Sequence, residues 1–271
     1  MTPTIALAAP TGVAVMPMRR VLGAYLTEAR YETVRMMRAP MFAIPFTAIP
    51  ILLYLFFGVV IAGGSRNADA PENLPLLLLT GFSVMGVMGP GIFGFGVSIA
   101  MERDQGLTRL KRAQPMPPMA YVAAKMVMAL LFSAVVVSGI GVLGVFVRHV
   151  PISIGQLVGM VLVESVGTVP FCAIGLFIGS LATGRFAPAC ANLVYLPLTY
   201  LSGLFFPLPE SIRWLALFSP AFHLNQLVLS VAGTPSILGP WGATMSVAAL
   251  VGVTVLFAGL AVRNLSIEPA N

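Results

Sequence analysis

Six apolar runs, each long enough to cross a bilayer, constrain this chain more than anything else in it. They are Met41–Ala62, Pro75–Ala100, Val122–Val147, Ile154–Ala182, Phe186–Phe206 and Trp241–Val262. A helix rises about 1.5 Å per residue and the hydrocarbon layer is about 30 Å thick, so roughly 20 apolar residues suffice. In lipid each backbone N–H and C=O must be satisfied internally, which makes helices the answer to runs of this length. The predicted fold is an all-α integral membrane protein with a six-span domain over 40–263. Composition agrees, because 9% of the residues are charged, against about 25% in ordinary globular chains.

Charge sets the orientation. With the N-terminus inside, 12 of the 15 Lys and Arg residues fall in cytoplasmic segments, and Arg66, Arg148 and Arg213 fall outside. By the positive-inside rule both termini are cytoplasmic. The net charge of +6 lies in clusters beside apolar runs, which indicates loops near anionic lipid rather than a nucleic-acid surface. Residues 1–17 carry Pro3, Pro10 and Pro17 and no basic residue, so they read as a disordered cytoplasmic tail, not a cleaved leader. Residues 264–271 read as a second cytoplasmic tail.

Residues 18–39 are predicted as an amphipathic helix. Leu22, Tyr25, Leu26, Ala29, Met36 and Met37 share one face, and Glu28, Arg30, Arg35 and Arg38 lie elsewhere. Such a helix can lie in the headgroup plane or form an ordinary surface helix.

The strongly charged passage between two apolar runs is Met101–Lys125. Glu102 and Asp104 precede Arg109, Lys111 and Arg112, an order that suits the dipole of a short helix over 102–115. Leu107, Leu110 and Gln114 fall on one edge, Arg109 and Arg112 on the other. Pro115, Pro117 and Pro118 then turn the chain back. On charge alone, the passage is an orientation signal. The order of residues adds more: Glu102, Arg103, Gly106, Arg109, Leu110, Lys111, Arg112, Ala113, Pro115, Pro117, Pro118, Tyr121 and Lys125 closely resemble the first coupling helix of type-2 ABC exporter permeases. A second passage, Leu201–Trp214 followed by Ser219 and Pro220, resembles the end of the fifth span and the outer re-entrant hairpin of the same family. The two passages lie in the family's order, and the resemblance runs from Met18 to Arg263.

The resemblance implies a permease subunit of an ATP-binding cassette exporter in the bacterial cytoplasmic (inner) membrane. It implies that the 18–39 helix, with Arg30, Arg35 and Arg38, is the connecting helix. Glu102, Arg103, Asp104, Gly106, Arg109, Lys111 and Arg112 would meet a cytoplasmic ATP-binding cassette subunit, present in two copies. ATP and magnesium would sit on that partner, with no cofactor on this chain. A second permease copy, identical or homologous, would complete a dimer surrounded by membrane lipid. The cargo class would be hydrophobic or amphipathic: a drug, antibiotic, lipid or lipid-linked glycan. The segment 207–239, with apolar pieces too short to cross, would be the outer re-entrant element, and Trp214 and His223 suit a polar–apolar boundary.

The chain offers no catalytic residues. Its two lysines, Lys111 and Lys125, follow Leu110 and Ala124, so no phosphate-binding Gly-Lys-Ser/Thr loop exists. No His, Cys, Asp and Glu grouping has metal-ligand spacing, and no nucleophile triad can be argued. Taken alone, the chain is therefore not a recognisable enzyme. Cys172 and Cys190 fall inside apolar runs and read as small buried side chains. Gly155/Gly159 and Gly175/Gly179 have GxxxG spacing and read as packing.

Glu164 is the one acid deep in a span, where a charge costs roughly 2.5–3.5 kcal/mol on insertion scales. Three readings suit it: a contact in the translocation path, a protonated carboxyl bonded to a neighbouring helix, or a residue nearer the surface. Asn225 and Gln226, in a short apolar helix, suit either an exit gate or headgroup contact. The alternative function is an ion- or proton-coupled secondary transporter using Glu164, although the inverted repeats common in such folds are not evident.

Overall fold

The computed structural model describes residues 17–62, 73–112, 116–205 and 208–267. Among these the regular elements are all helical, and no strand occurs. In chain order they include α1 (Met18–Met37), α2 (Ile44–Ile61), α3 (Leu74–Asp104), α4 (Leu107–Arg112) and α5 (Met119–Val147). Then come α6 (Ile154–Leu181), α7 (Ala187–Tyr200), a 3-10 helix at Glu210–Phe218, α8 (Pro220–Val231) and α9 (Gly242–Ile267). Of the two expected tails, residues 1–16 and 268–271 lie outside the described residues, and α9 continues through Ile267.

Among the described residues five helices, α2, α3, α5, α6 and α9, are long and apolar enough to cross a membrane. The expected span at 186–206 is different. Its helix α7 holds 14 residues, about 21 Å of rise. Pro197 inside it removes a backbone donor, and Gly203 at φ +66° turns the chain away. The pair Glu210–Phe218 and Pro220–Val231 bends by 89° and makes a sixth crossing element only if both halves count as one broken span.

The central post is α3. Of its most apolar stretch 83% is buried, against 17% for α2 and for α9. Glycine makes that position possible. A Cβ on Gly96 would lie 2.0 Å from the carbonyl carbon of Gly175, and one on Gly179 would lie 2.5 Å from the Gly96 oxygen. Gly175 and Gly179 therefore let two backbones touch. Gly159 packs instead on Val231, and Gly155 meets no other helix, so that second GxxxG pair is no joint crossing.

Prolines reshape the spans without ending them. Wide π turns occupy Ile44–Ala48, around Pro45, and Pro90–Val97, opening at Pro90. A proline removes a backbone donor and crowds the preceding turn, and a wider turn relieves both. A further π segment, Tyr54–Ile61, ends α2. There Arg148 closes the helix end by donating from Nε to Gly58 O (3.0 Å) and from Nη2 to Ala62 O (2.9 Å). On α6, Ser153 and Gln156 form a reciprocal capping box, and Gln156 Nε2 also donates to Ala232 O at 3.0 Å. Cys172 is buried, whereas Cys190 is exposed on α7, contrary to the expectation from its apolar run.

Candidate functional site

α1 docks along α5 with part of the expected apolar face, Tyr25, Ala29 and Met36, and with two acids. Val21, Ala24, Tyr25, Glu28, Ala29, Glu32 and Met36 turn inward, while Leu22, Leu26 and Met37 are exposed. Met36 packs on Met128 and Phe132 of α5. The acids turn inward because α4 and α5 bring lysines to meet them.

Lys125 is fully buried. Its Nζ donates to Glu32 Oε1 at 2.6 Å, Glu102 Oε1 at 2.9 Å and Ser98 Oγ at 2.9 Å. An ammonium has three donors, and all three are used. Arg35, half-exposed at the rim, donates to the Oε1 atoms of Glu32 (2.9 Å) and Glu102. Burial alone would lower the Arg35 pKa; the hydrogen bond to Glu102 and the charges of Glu32 and Glu102 outweigh it and hold it above the usual value. Tyr121 donates to Glu102 Oε2 at 2.5 Å. Two acids and two bases thus balance in a nearly dry pocket where α1, α3 and α5 meet.

The cluster extends to α4. Lys111 pairs with Glu28 of α1 at 2.5 Å and sits 4.3 Å from the centre of the Tyr121 ring. Lys125 Nζ is 5.3 Å from the same ring. One tyrosine therefore stands between two cations and holds an acid at its hydroxyl, an arrangement that ring quadrupole and hydrogen bond both favour. Through it the short α4 is fixed to the bundle.

The helix expected over 102–115 is divided. Glu102, Arg103 and Asp104 belong to the last turn of α3; Gly106, at φ +73°, reverses the backbone; α4 begins at Leu107. Only a residue tolerant of positive φ makes that turn cheaply. Glu102 is buried in the cluster. Arg103 Nη2 donates to Ala182 O at 3.2 Å, and Asp104 Oδ2 accepts from Gly184 N at 2.6 Å. These three tie the end of α3 to neighbouring elements of the same chain. Leu110 is exposed. The side chains of Arg109 and Arg112, and residues 113–115, lie outside the described residues. Arg30 on α1 and Arg38 just past its end are exposed.

Glu164 stands apart from this cluster. It is fully buried inside the bundle, and its Oε1 accepts from Ser83 Oγ of α3 at 2.7 Å. One turn on, Thr168 donates to Ser133 Oγ of α5 at 2.8 Å. Glu164 Oε2 has no hydrogen-bond partner among the described residues. Asn225 and Gln226 are also buried. Gln226 Oε1 accepts from Ser236 Oγ and Ile237 N, both at 3.2 Å, and so holds the loop after α8. His223, expected at a boundary, is buried. The carbonyl of Leu217 can only accept, so His223 Nε2 carries the proton toward it at 2.8 Å, and Nδ1 faces Ser246 Oγ at 3.3 Å. Among the described residues no group of His, Cys, Asp and Glu could hold a metal ion.

Glu32 carried no distinguishing sequence pattern of its own. The signal that could have found it is the i, i+4 pair Glu28 and Glu32, a row of acids along one face of an otherwise basic helix.

A family model described as ABC-2 type transporter matches residues 24–232, a stretch that holds the whole ion cluster from Glu28 to Lys125. The Bacillus subtilis (strain 168) protein named "Putative transport permease YvfS" is 26% identical over 198 residues, covering 72% of this chain and 80% of that protein.

Proposed function

The chain belongs to the ABC-2 type transporter family as a membrane permease subunit, and on that premise we propose that it exports a hydrophobic or amphipathic substrate using ATP hydrolysed by a separate polypeptide. Two ATPase subunits carry the ATP and magnesium. Two permease chains, identical or homologous, enclose the path in the bacterial cytoplasmic membrane with their termini inside. α1 serves as the connecting helix, α4 as the coupling helix, and the bent pair before α9 as the outer re-entrant hairpin.

The observation that carries this reading is the ion cluster. It joins α1, α3 and α5 and pins α4 to them through Lys111 and Glu28. A push on α4 therefore moves three helices together instead of bending one loop. The exposed Leu110 on α4 is the apolar knob for the ATPase. Leu110→Asp, co-expressed with the cognate ATPase, is expected to lower ATP-dependent transport in vesicles about tenfold, the effect of losing one interface anchor. Insertion and detergent elution should match wild type. Undiminished transport would remove α4 as the docking point.

A second reading, ion or proton coupling through Glu164, draws on its Oε2, which has no partner among the described residues. Glu164→Gln retains an oxygen that accepts from Ser83. The expectation is transport within about twofold of wild type, in vesicles supplied with ATP and no ion gradient. Loss of transport in this variant, or a strict need for a gradient, would favour the second reading.

A further inference from the structure

Between α6, α8 and α9 lies a cleft of about 550 Å³, open along one side. It exists because α6 breaks. The two halves of α6 meet at Gly167, and Pro170 follows within the first turn of the second half. Leu224 of α8 presses into the break, where a Cβ on Gly167 would meet it at 2.3 Å. The cleft runs along α9 from Val247 to Val255, about 12 Å of helix. That is most of one leaflet of a hydrocarbon layer about 30 Å thick.

The lining excludes water. Its one side-chain polar group is the Thr254 hydroxyl, which already donates to Leu250 O at 2.8 Å. Apolar cavities without polar partners stay dry. An empty space of this size is also unfavourable, because lining atoms lose their contacts. The rim residues Leu162, Val166 and Val255 are exposed and apolar, and both flanking helices are long enough to span the membrane. What can enter sideways at that depth is hydrocarbon.

We propose that this cleft is a binding site for one acyl chain of a membrane phospholipid, held between the break in α6 and the middle of α9 with α8 as its floor. The occupant is bilayer lipid, in the leaflet that holds α8. The inference rests on membrane embedding and not on the export reading.

The test uses the full chain in phosphatidylethanolamine and phosphatidylglycerol vesicles with a trace of phosphatidylcholine carrying a diazirine on one acyl chain. No ATPase is added, so failure of the export reading leaves the result unaffected. After photolysis, adducts mapped by mass spectrometry are expected on Leu250 and Val251 at about tenfold the density on Val127, Leu131 and Val135 of α5, the ratio for tenfold tighter retention. Those α5 residues are exposed apolar controls. Val251→Trp, which fills the cleft, should reduce labelling of Leu250 to the α5 level, while Val127→Trp should leave it unchanged. Equal labelling of cleft and controls would overturn the proposal, as would labelling of Leu250 that persists in Val251→Trp. Disulfide dimers formed through Val255→Cys at the expense of lipid adducts would also overturn it, by placing a second copy there.

Discussion

Lys125→Met is expected to destabilise the protein by about 3–5 kcal/mol, the cost of removing one member of a buried ion pair and leaving the other behind. The side chain fits the space, so the loss is electrostatic. Glu32 and Glu102 both accept from Nζ. Without it, two carboxylates share the half-exposed Arg35 as their remaining cation in the cluster. In detergent this should lower the melting temperature by on the order of 10 °C. Lys125→Met with Glu32→Gln removes one charge of each sign and should recover most of the loss. If the double variant is no better than the single one, the pair is not the source of the stability. Arg35→Ala should cost less, because the guanidinium is half in water and screened.

Gly96→Val should yield no monodisperse protein. Overpacking costs about 1–3 kcal/mol where neighbouring side chains can yield. Here the neighbours are backbone: Gly175 C and O, each 2.0 Å from the new Cβ. Room appears only if α3 and α6 separate, and that opens the most buried helix of the bundle to lipid. Gly96→Ala meets the same atoms and should be impaired too. The control is Gly252→Ala on α9, where nothing lies within 4 Å. It should gain up to about 1 kcal/mol from helix propensity. Size-exclusion elution of the detergent extracts distinguishes the three. A Gly96→Val protein that elutes as wild type would show that α3 and α6 do not cross as described.

Hydropathy made the membrane class and most of the spans legible, because runs such as Val122–Val147 have no other stable arrangement in lipid. The fifth run was not legible as drawn: apolarity continues past Tyr200, where the helix ends, and Gly203 turns the chain. In the charged passage Glu102, Arg103 and Asp104 belong to the last turn of α3 and not to the short helix that follows. Glu102 follows α3 without interruption, and only the positive φ at Gly106 marks where α4 can start. The acids on the inward face of α1 were hidden for a different reason. Periodicity counts apolar residues, and this face is held by acids whose partners lie as far as 93 positions away. No local pattern reports a partner that distant. The family resemblance supplied Tyr121 and Lys125 as members of a motif; the bonds from Lys125 to Glu32 and from Tyr121 to Glu102 are tertiary facts.

The 93-residue separation of Glu32 from Lys125 also bears on how the chain is made. A ribosome adds about 5–20 residues per second, so α1 emerges roughly 5–20 s before the lysine that will neutralise its inward acid. Throughout that interval two spans enter the bilayer while α5, the helix along which α1 packs, is still missing. α1 therefore settles only after the third span is in place, and a nascent chain arrested before Lys125 would leave it accessible to proteases and chaperones.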